Sequence, residues 1–393
     1  MDELIYLDNA ATSFPKPDVV HDTVRDFYST KGVNPGRTGC DLAVAAEAMI
    51  HETRKGYSEF FNKSLVDSGV EKDPNRLVFT MNATMSLNLI INGTVGPKDH
   101  VITTMVEHNS VIRPVNHKAK EGVEATYIIP DGEGYIDPEE IRKNIKDNTR
   151  LVVVNHGSNV TGVVQDIKAI GKVCEEEGVQ FAVDSAQTAG VLPLDMHECN
   201  ISFLSFTGHK GLFGPTGTGG ICVSDDAEIM GTMYGGTGVR SALPYHIEEF
   251  PYRLEAGTLN LAGIAGMNAG LKWIKEKGTE NIYSHEMELL ELLQNGLKEI
   301  KGVKIWGTEN LENRVATLSM TLENYDAQDI GTILDAGYNI LTRTGLHCAP
   351  LIHEHHGTTP RGTVRFSVGP FNTKEHIDAA IIAMKEIASD RPA

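Results

Sequence analysis

The sequence predicts an α/β fold: a large, doubly wound, mostly parallel sheet domain joined to a smaller C-terminal α+β domain. Three observations carry this. Between residues about 40 and 225, short apolar runs alternate with helical patterns, the signature of strand–helix–strand units. Several of those runs are apolar nearly throughout, as in strands buried on both faces of a parallel sheet. Beyond about residue 260 the pattern changes to two long helical stretches and strands that alternate with period two.

In order along the chain, residues 42–61 carry apolar side chains at 42, 45, 46, 49, 50, 57, 60 and 61, which is helical spacing. Strands are expected at 77–80, 100–104, 125–129, 151–155, 180–184, 203–207 and 219–223, with crossover helices at 137–146 and 166–177. Helices at 261–276 and 280–300 then lead into a strand at 303–306. Ala316, Leu318, Met320 and Leu322 alternate with Thr317, Ser319 and Thr321, and Val364, Phe366 and Val368 with Thr363, Arg365 and Ser367. Each reads as a strand with one buried and one polar face. A final amphipathic helix spans 374–388, and the N-terminal segment with Pro15 and Pro17 packs on the smaller domain or crosses the cleft. The expected division is 20–260 for the large domain, and 1–19 with 261–393 for the small one.

The 393 residues are 40% hydrophobic and 22% charged, an ordinary globular composition. Lys+Arg 35 against Asp+Glu 53 gives 35 − 53 = −18, so the surface is acidic. That argues against nucleic acid or an anionic membrane as partner. Cys40, Cys174, Cys199, Cys222 and Cys348 are scattered without a CxxC pair, which fits a reducing compartment and neither a disulfide scaffold nor a zinc ribbon. No signal peptide or membrane-spanning run is apparent, and a cytoplasmic enzyme is expected.

Ligands of open α/β sheets sit beyond the carboxyl ends of the strands. Those ends carry Asp184 to Gln187, Thr207 to Lys210, Asn155 to Asn159, and Glu107 to Asn109, with Asn82-Ala83-Thr84 before a helix. Alone, a lysine after a strand is usually a surface residue and an aspartate a cap. Together, Asp184 and Lys210, 210 − 184 = 26 residues apart on consecutive strands, suit pyridoxal 5'-phosphate. That cofactor needs an amine for its Schiff base and a carboxylate for its pyridine nitrogen. Asn82-Ala83-Thr84, Thr207 and His209 offer hydroxyls and helix N-terminal N–H groups for its phosphate.

The segments YLDNAATSFPKP (6–17), VDSAQ (183–187), SFTGHKGLFGPTGTGG (205–220), EAGTLN (255–260) and RTGLHCAP (343–350) resemble the class V aminotransferase superfamily of pyridoxal-phosphate fold-type I. More narrowly, they resemble its cysteine desulfurase and selenocysteine lyase branch, of the SUF-associated type, nearly end to end. The resemblance implies that Lys210 holds the cofactor, Asp184 pairs with the pyridine nitrogen, Gln187 bonds the phenolic oxygen and His108 stacks on the ring. Ala83, Thr84, Thr207 and His209 would hold the phosphate. Thr258 would reach the phosphate of a neighbouring subunit, which implies a homodimer. Asn159 and Arg365, with Arg343, would bind the substrate carboxylate.

By the same resemblance Cys348 is the thiolate that takes sulfur from L-cysteine as a persulfide, leaving L-alanine. Flanking His347 is expected to depress its pKa. The other four cysteines are expected to be packing residues. The residue before His347 is Leu346 where a second histidine is usual. The tract 351–360, with His353, Glu354, His355 and His356, is expected as a polar loop over the site mouth, with no metal. Alternatives are a selenocysteine lyase, an aminotransferase or C–S lyase that does not use Cys348, and a catalytically idle binding protein. A sulfur-acceptor protein is a possible partner.

Overall fold

A computed structural model describes residues 4–35 and 40–390. Residues 1–3, 36–39 and 391–393, among them both ends of the expected smaller domain, lie outside the described residues.

The large sheet has seven strands in the order Leu77–Thr80, Gly219–Val223, Phe203–Thr207, Gln180–Asp184, Thr149–Asn155, His100–Thr104, Glu124–Ile128. Gly219–Val223 pairs antiparallel with both its neighbours, and the other pairings are parallel. All seven expected strands form, with ends shifted by at most a residue or two. Period-two alternation explains the near-continuous apolar runs. Val152 and Val154 pack in one core, whereas Leu151 and Val153 pack in another on the opposite face. The helices Asp41–Phe60, Pro138–Asn144 and Ile167–Glu176 fall where the spacing put them.

The second sheet has four antiparallel strands, Arg343–Gly345, Thr363–Ser367, Thr317–Leu322 and Val303–Trp306. Leu318, Met320, Leu322, Val364 and Phe366 pack in its core with Leu290 and Met384 of the helices Thr279–Lys298 and Lys374–Ser389. The alternation into an apolar and a polar face holds, and the polar face is buried as well. Thr317, Ser319, Thr363, Arg365 and Ser367 are buried too, because that face packs on the large sheet's loops. Ser319 Oγ donates to the Val160 carbonyl at 2.6 Å. Gly162, at φ +75°, makes this approach possible, since a Cβ there would meet the Thr317 carbonyl oxygen at 2.4 Å.

The N-terminal segment does both things expected of it. Ile5–Tyr6 pairs with Ile340–Leu341 beside the small sheet, and Ala10 N–H donates to Ser367 Oγ at 2.9 Å. Ser13 N–H then reaches the His209 carbonyl at 3.1 Å, in the loop after Phe203–Thr207. The tract after Cys348 is corrected from loop to helix, Pro350–His356. Pro350 at the first helical position and Gly357 in the left-handed conformation after the end are its start and stop. Among the described residues no helix is long and apolar enough to cross a membrane.

Candidate active site

The strand register sets the floor of the site. Asn155 and Asp184 are paired neighbours at the carboxyl ends of adjacent strands, and Thr207 ends the next. The chain turns sharply after Thr207, so Lys210 returns over these ends. Helix Ala83–Thr94 points its N-terminus at the same place, capped by Asn82 Oδ1 on Met85 N–H at 2.9 Å. The small sheet closes the space with Arg343, His347, Cys348 and Arg365. The result is a cavity of about 210 Å³ lined by residues of both sheets.

Every expected site residue lines this cavity except Thr258: Lys210, Asp184, Gln187, His108, Ala83, Thr84, Thr207, His209, Asn159, Arg365, Arg343 and Cys348. Thr258 is exposed outside it. Its loop is anchored by Glu255, whose carboxylate forms a buried pair with Arg54, 2.6 Å from Oε2 to Nη2, and accepts Phe79 N–H at 2.7 Å.

Burial lowers the Lys210 pKa to about 8, with Arg365 and Arg343 pushing the same way and Asp184 opposing. Burial raises the Asp184 pKa, offset by Ala186 N–H, which donates to its carboxylate at 2.9 Å, and by Lys210. An amine close to its deprotonation range beside a carboxylate is the pattern of a functional site. His108 caps helix Asn109–Lys120, its Nδ1 accepting Ser110 N–H at 3.0 Å. The neutral ring therefore carries its proton on Nε2. Burial lowers its pKa to about 4, so it stays neutral at pH 7.

The same residues fit pyridoxal phosphate on two structural counts. The helix beginning at Ala83 has no acidic residue in its first turn, leaving its N–H groups and positive dipole end for an anion. His209 Nδ1 is buried with no hydrogen-bond partner among the described residues. A phosphate and a pyridine nitrogen beside Asp184 are complementary to these groups.

Cys348 is exposed at the cavity rim. The expected activation by His347 is corrected. That ring is buried, and burial first and Arg365 second lower its pKa to about 2, so it brings no positive charge to the thiol. Of the cysteines expected in packing, Cys174 and Cys222 are buried, Cys199 is partly exposed, and Cys40 is exposed before helix Asp41–Phe60. Gln187 Nε2 donates to the Ala10 carbonyl at 3.0 Å, so its amide also ties the N-terminal segment to the site.

Three residues that matter here were not assigned from sequence. Asp8 Oδ1 lies 2.5 Å from Arg365 Nη2. Ser110 orients His108. Glu107, fully buried, accepts Thr104 Oγ1 at 2.6 Å and Asn155 N–H at 2.9 Å, and burial raises its pKa to about 8. The segment carrying Asp8 and the strand end carrying Glu107 were visible, but not the contacts across the chain. Among the described residues no cluster of three or more metal-ligating side chains exists.

The sequence profile described as "Aminotransferase class-V" matches residues 5–380. A probable cysteine desulfurase of Methanothermobacter thermautotrophicus is 33% identical over 98% of this chain and 94% of its own. The apo structure of a cysteine desulfurase from Thermococcus onnurineus NA1 superposes with TM-score 0.91 at 32% identity, covering 99% of this chain and 95% of that one. A cysteine desulfurase structure from Escherichia coli gives 0.87 at 26% identity, covering 98% and 95%.

Proposed function

We propose that this chain, which belongs to the class-V aminotransferase family, is a pyridoxal-phosphate-dependent cysteine desulfurase. It would convert L-cysteine to L-alanine and take the sulfur on Cys348. One observation carries the reading: an exposed thiol, Cys348, shares a cavity with Lys210, Asp184 and Arg365. The relatives named cysteine desulfurase support it at full length.

Lys210 Nζ, Asp184, Gln187, His108, Ala83, Thr84, Thr207 and His209 would hold the cofactor. When bound, pyridoxal phosphate supplies the electron sink for cleavage of the Cα–H bond. Arg365, Arg343 and Asn159 bind and orient the substrate carboxylate. Lys210 Nζ, with its pKa near 8, is the group suited to carry the Cα proton. His108, neutral at pH 7 with its proton on Nε2, would cover the cofactor ring.

Cys348 Sγ attacks the substrate sulfur. The new S–S bond forms as the Cβ–S bond breaks, and that electron pair stays with the three-carbon fragment, which takes a proton and leaves as alanine. The enzyme retains Cys–S–SH, and a small thiol or an acceptor protein regenerates it.

Thr258 is exposed and lies outside its own cavity. This supports a homodimer in which Thr258 reaches the partner's site. The two sheets have separate cores, which supports a two-domain division, but Leu261, Ile264, Met267, Leu271 and Ile274 pack in the large core, beyond the expected boundary at residue 260. All five cysteines are free, in keeping with a reducing compartment such as the cytoplasm.

The test is alanine release from L-cysteine with a reductant, comparing the wild type with Cys348→Ala. Release by the wild type and loss in the variant is the expected result. Equal release by both makes the protein a C–S lyase that does not use Cys348.

A further inference from the structure

We infer that Asn159 is a positioning residue for the Cys348 loop, joining the carboxylate site to the nucleophile through one side-chain amide. The inference rests on the proposed desulfurase reading for its purpose, but not for its geometry.

His347 and Cys348 are consecutive non-glycine residues at φ +47° and +58°. L-residues enter this left-handed region at a cost in free energy, and two in succession persist only where the surroundings hold them. Four hydrogen bonds do so. Asn159 Nδ2 donates to the His347 carbonyl at 2.7 Å. Asn109 N–H donates to the Cys348 carbonyl at 2.7 Å, and Ala349 N–H to the Leu346 carbonyl at 2.9 Å. His347 Nε2 lies 3.0 Å from Thr363 Oγ1.

The Asn159 bond differs from the other three in where it leads. Arg365 Nη1 donates to the Asn159 carbonyl at 3.0 Å, so the residue gripping the loop is itself gripped by the guanidinium proposed for the substrate. Asn159 is buried, and it lines the cavity with Arg365 and Cys348. A primary amide has two N–H donors. One holds the loop, and the other is available to a carboxylate seated on Arg365. A substrate bound there engages the amide that fixes Cys348, so occupancy of the carboxylate site steadies the thiol that must meet the substrate sulfur.

Hydrogen exchange of the holoenzyme, read by mass spectrometry on peptides covering 343–350, tests this without turnover. Asn159→Asp keeps the volume and loses both donors, and Asn159→Ala removes the group. Both should speed exchange in that peptide about fivefold, the size of one net hydrogen bond, while peptides covering 180–184 stay unchanged. Saturating L-alanine, whose binding is read separately from the holoenzyme's visible absorption, should slow loop exchange in the wild type and not in Asn159→Asp. Turnover should show a fall in kcat as well as a rise in KM, because a residue that only binds the carboxylate moves KM alone.

Unchanged loop exchange in Asn159→Asp overturns the inference. So does alanine that binds without protecting the wild-type loop. If loop exchange responds as expected while no alanine is released from cysteine, the desulfurase reading falls and the positioning role stands.

Discussion

Replacing Arg365 with alanine is the sharpest test of how the site holds its substrate. The guanidinium is 2% exposed, donates to the Asn159 carbonyl, and pairs with Asp8 at 2.5 Å. A substrate carboxylate about 4 Å away, at an effective dielectric of about 20, gains about 4 kcal/mol. Truncating one partner of such a pair costs about 2–5 kcal/mol. At about 1.36 kcal/mol per decade, kcat/KM for L-cysteine should fall between about 30-fold and about 5,000-fold. Arg365→Lys keeps the charge but not the planar fork and should lie between. Arg365→Ala also strands the Asp8 carboxylate, so its stability drops for a reason unrelated to substrate. Asp8→Asn in that background should restore part of the thermal midpoint and none of the activity. Alanine release measured across cysteine concentrations reads the first effect, and thermal unfolding the second. A KM and kcat in Arg365→Ala within about twofold of wild type would refute the carboxylate assignment, since an energy of this size cannot vanish.

Two further outcomes follow from buried titrating groups. Burial raises the Glu286 pKa to about 8, above the ordinary carboxylate value. The folded state therefore binds more protons than the unfolded one between pH about 4.5 and 8, and the stability this group contributes below that window is lost as pH rises through it. Glu286→Gln should flatten the decline in thermal midpoint from pH 5 to 8, and an unchanged slope would count against the buried acid. Lys210, lowered to about 8, should make uptake of pyridoxal phosphate by the apoprotein accelerate with pH and level off above about 8, followed by visible absorption. A rise continuing toward pH 10 would place the amine in an ordinary aqueous setting.

The floor of the site was readable because strand ends are a local property. A buried strand ending in Asp184 must put that carboxylate at the crevice, and the turn after Thr207 must bring Lys210 back over it. The roles of Gln187, Asn159 and Thr258 came instead from family resemblance. The Asp8–Arg365 contact was not readable, because it joins residues 357 apart through two sheets and the N-terminal segment. The tract 351–360 was misread for another reason. Four polar residues in succession outweighed Pro350 and Gly357, which mark a helix start and stop. The neutral state of His347 depends on burial that period and spacing do not report. Its position beside Cys348 looked like activation, whereas its ring packs against Thr363 and His353.

The polar face of the small sheet follows the same logic one level up. Alternation correctly separated Leu318, Met320 and Val364 from Ser319, Thr363 and Arg365, but polar did not mean solvated. Arg365 walls the cavity, Thr363 meets His347, and Ser319 meets a loop of the large sheet. The chemistry is therefore divided. Asp184, Lys210 and the helix beginning at Ala83 belong to the large sheet, while Arg365, Arg343 and Cys348 belong to the small one. The separation of amine and thiol depends on how the sheets are held together, and the N-terminal segment spans that joint. Leu7 N–H bonds Leu341, Ala10 N–H bonds Ser367, and Ser13 N–H bonds the His209 carbonyl one residue before Lys210. By bonding the small sheet at one end and the loop before Lys210 at the other, the segment that lines the cavity through Ala10 and Ala11 ties the two halves of the site together.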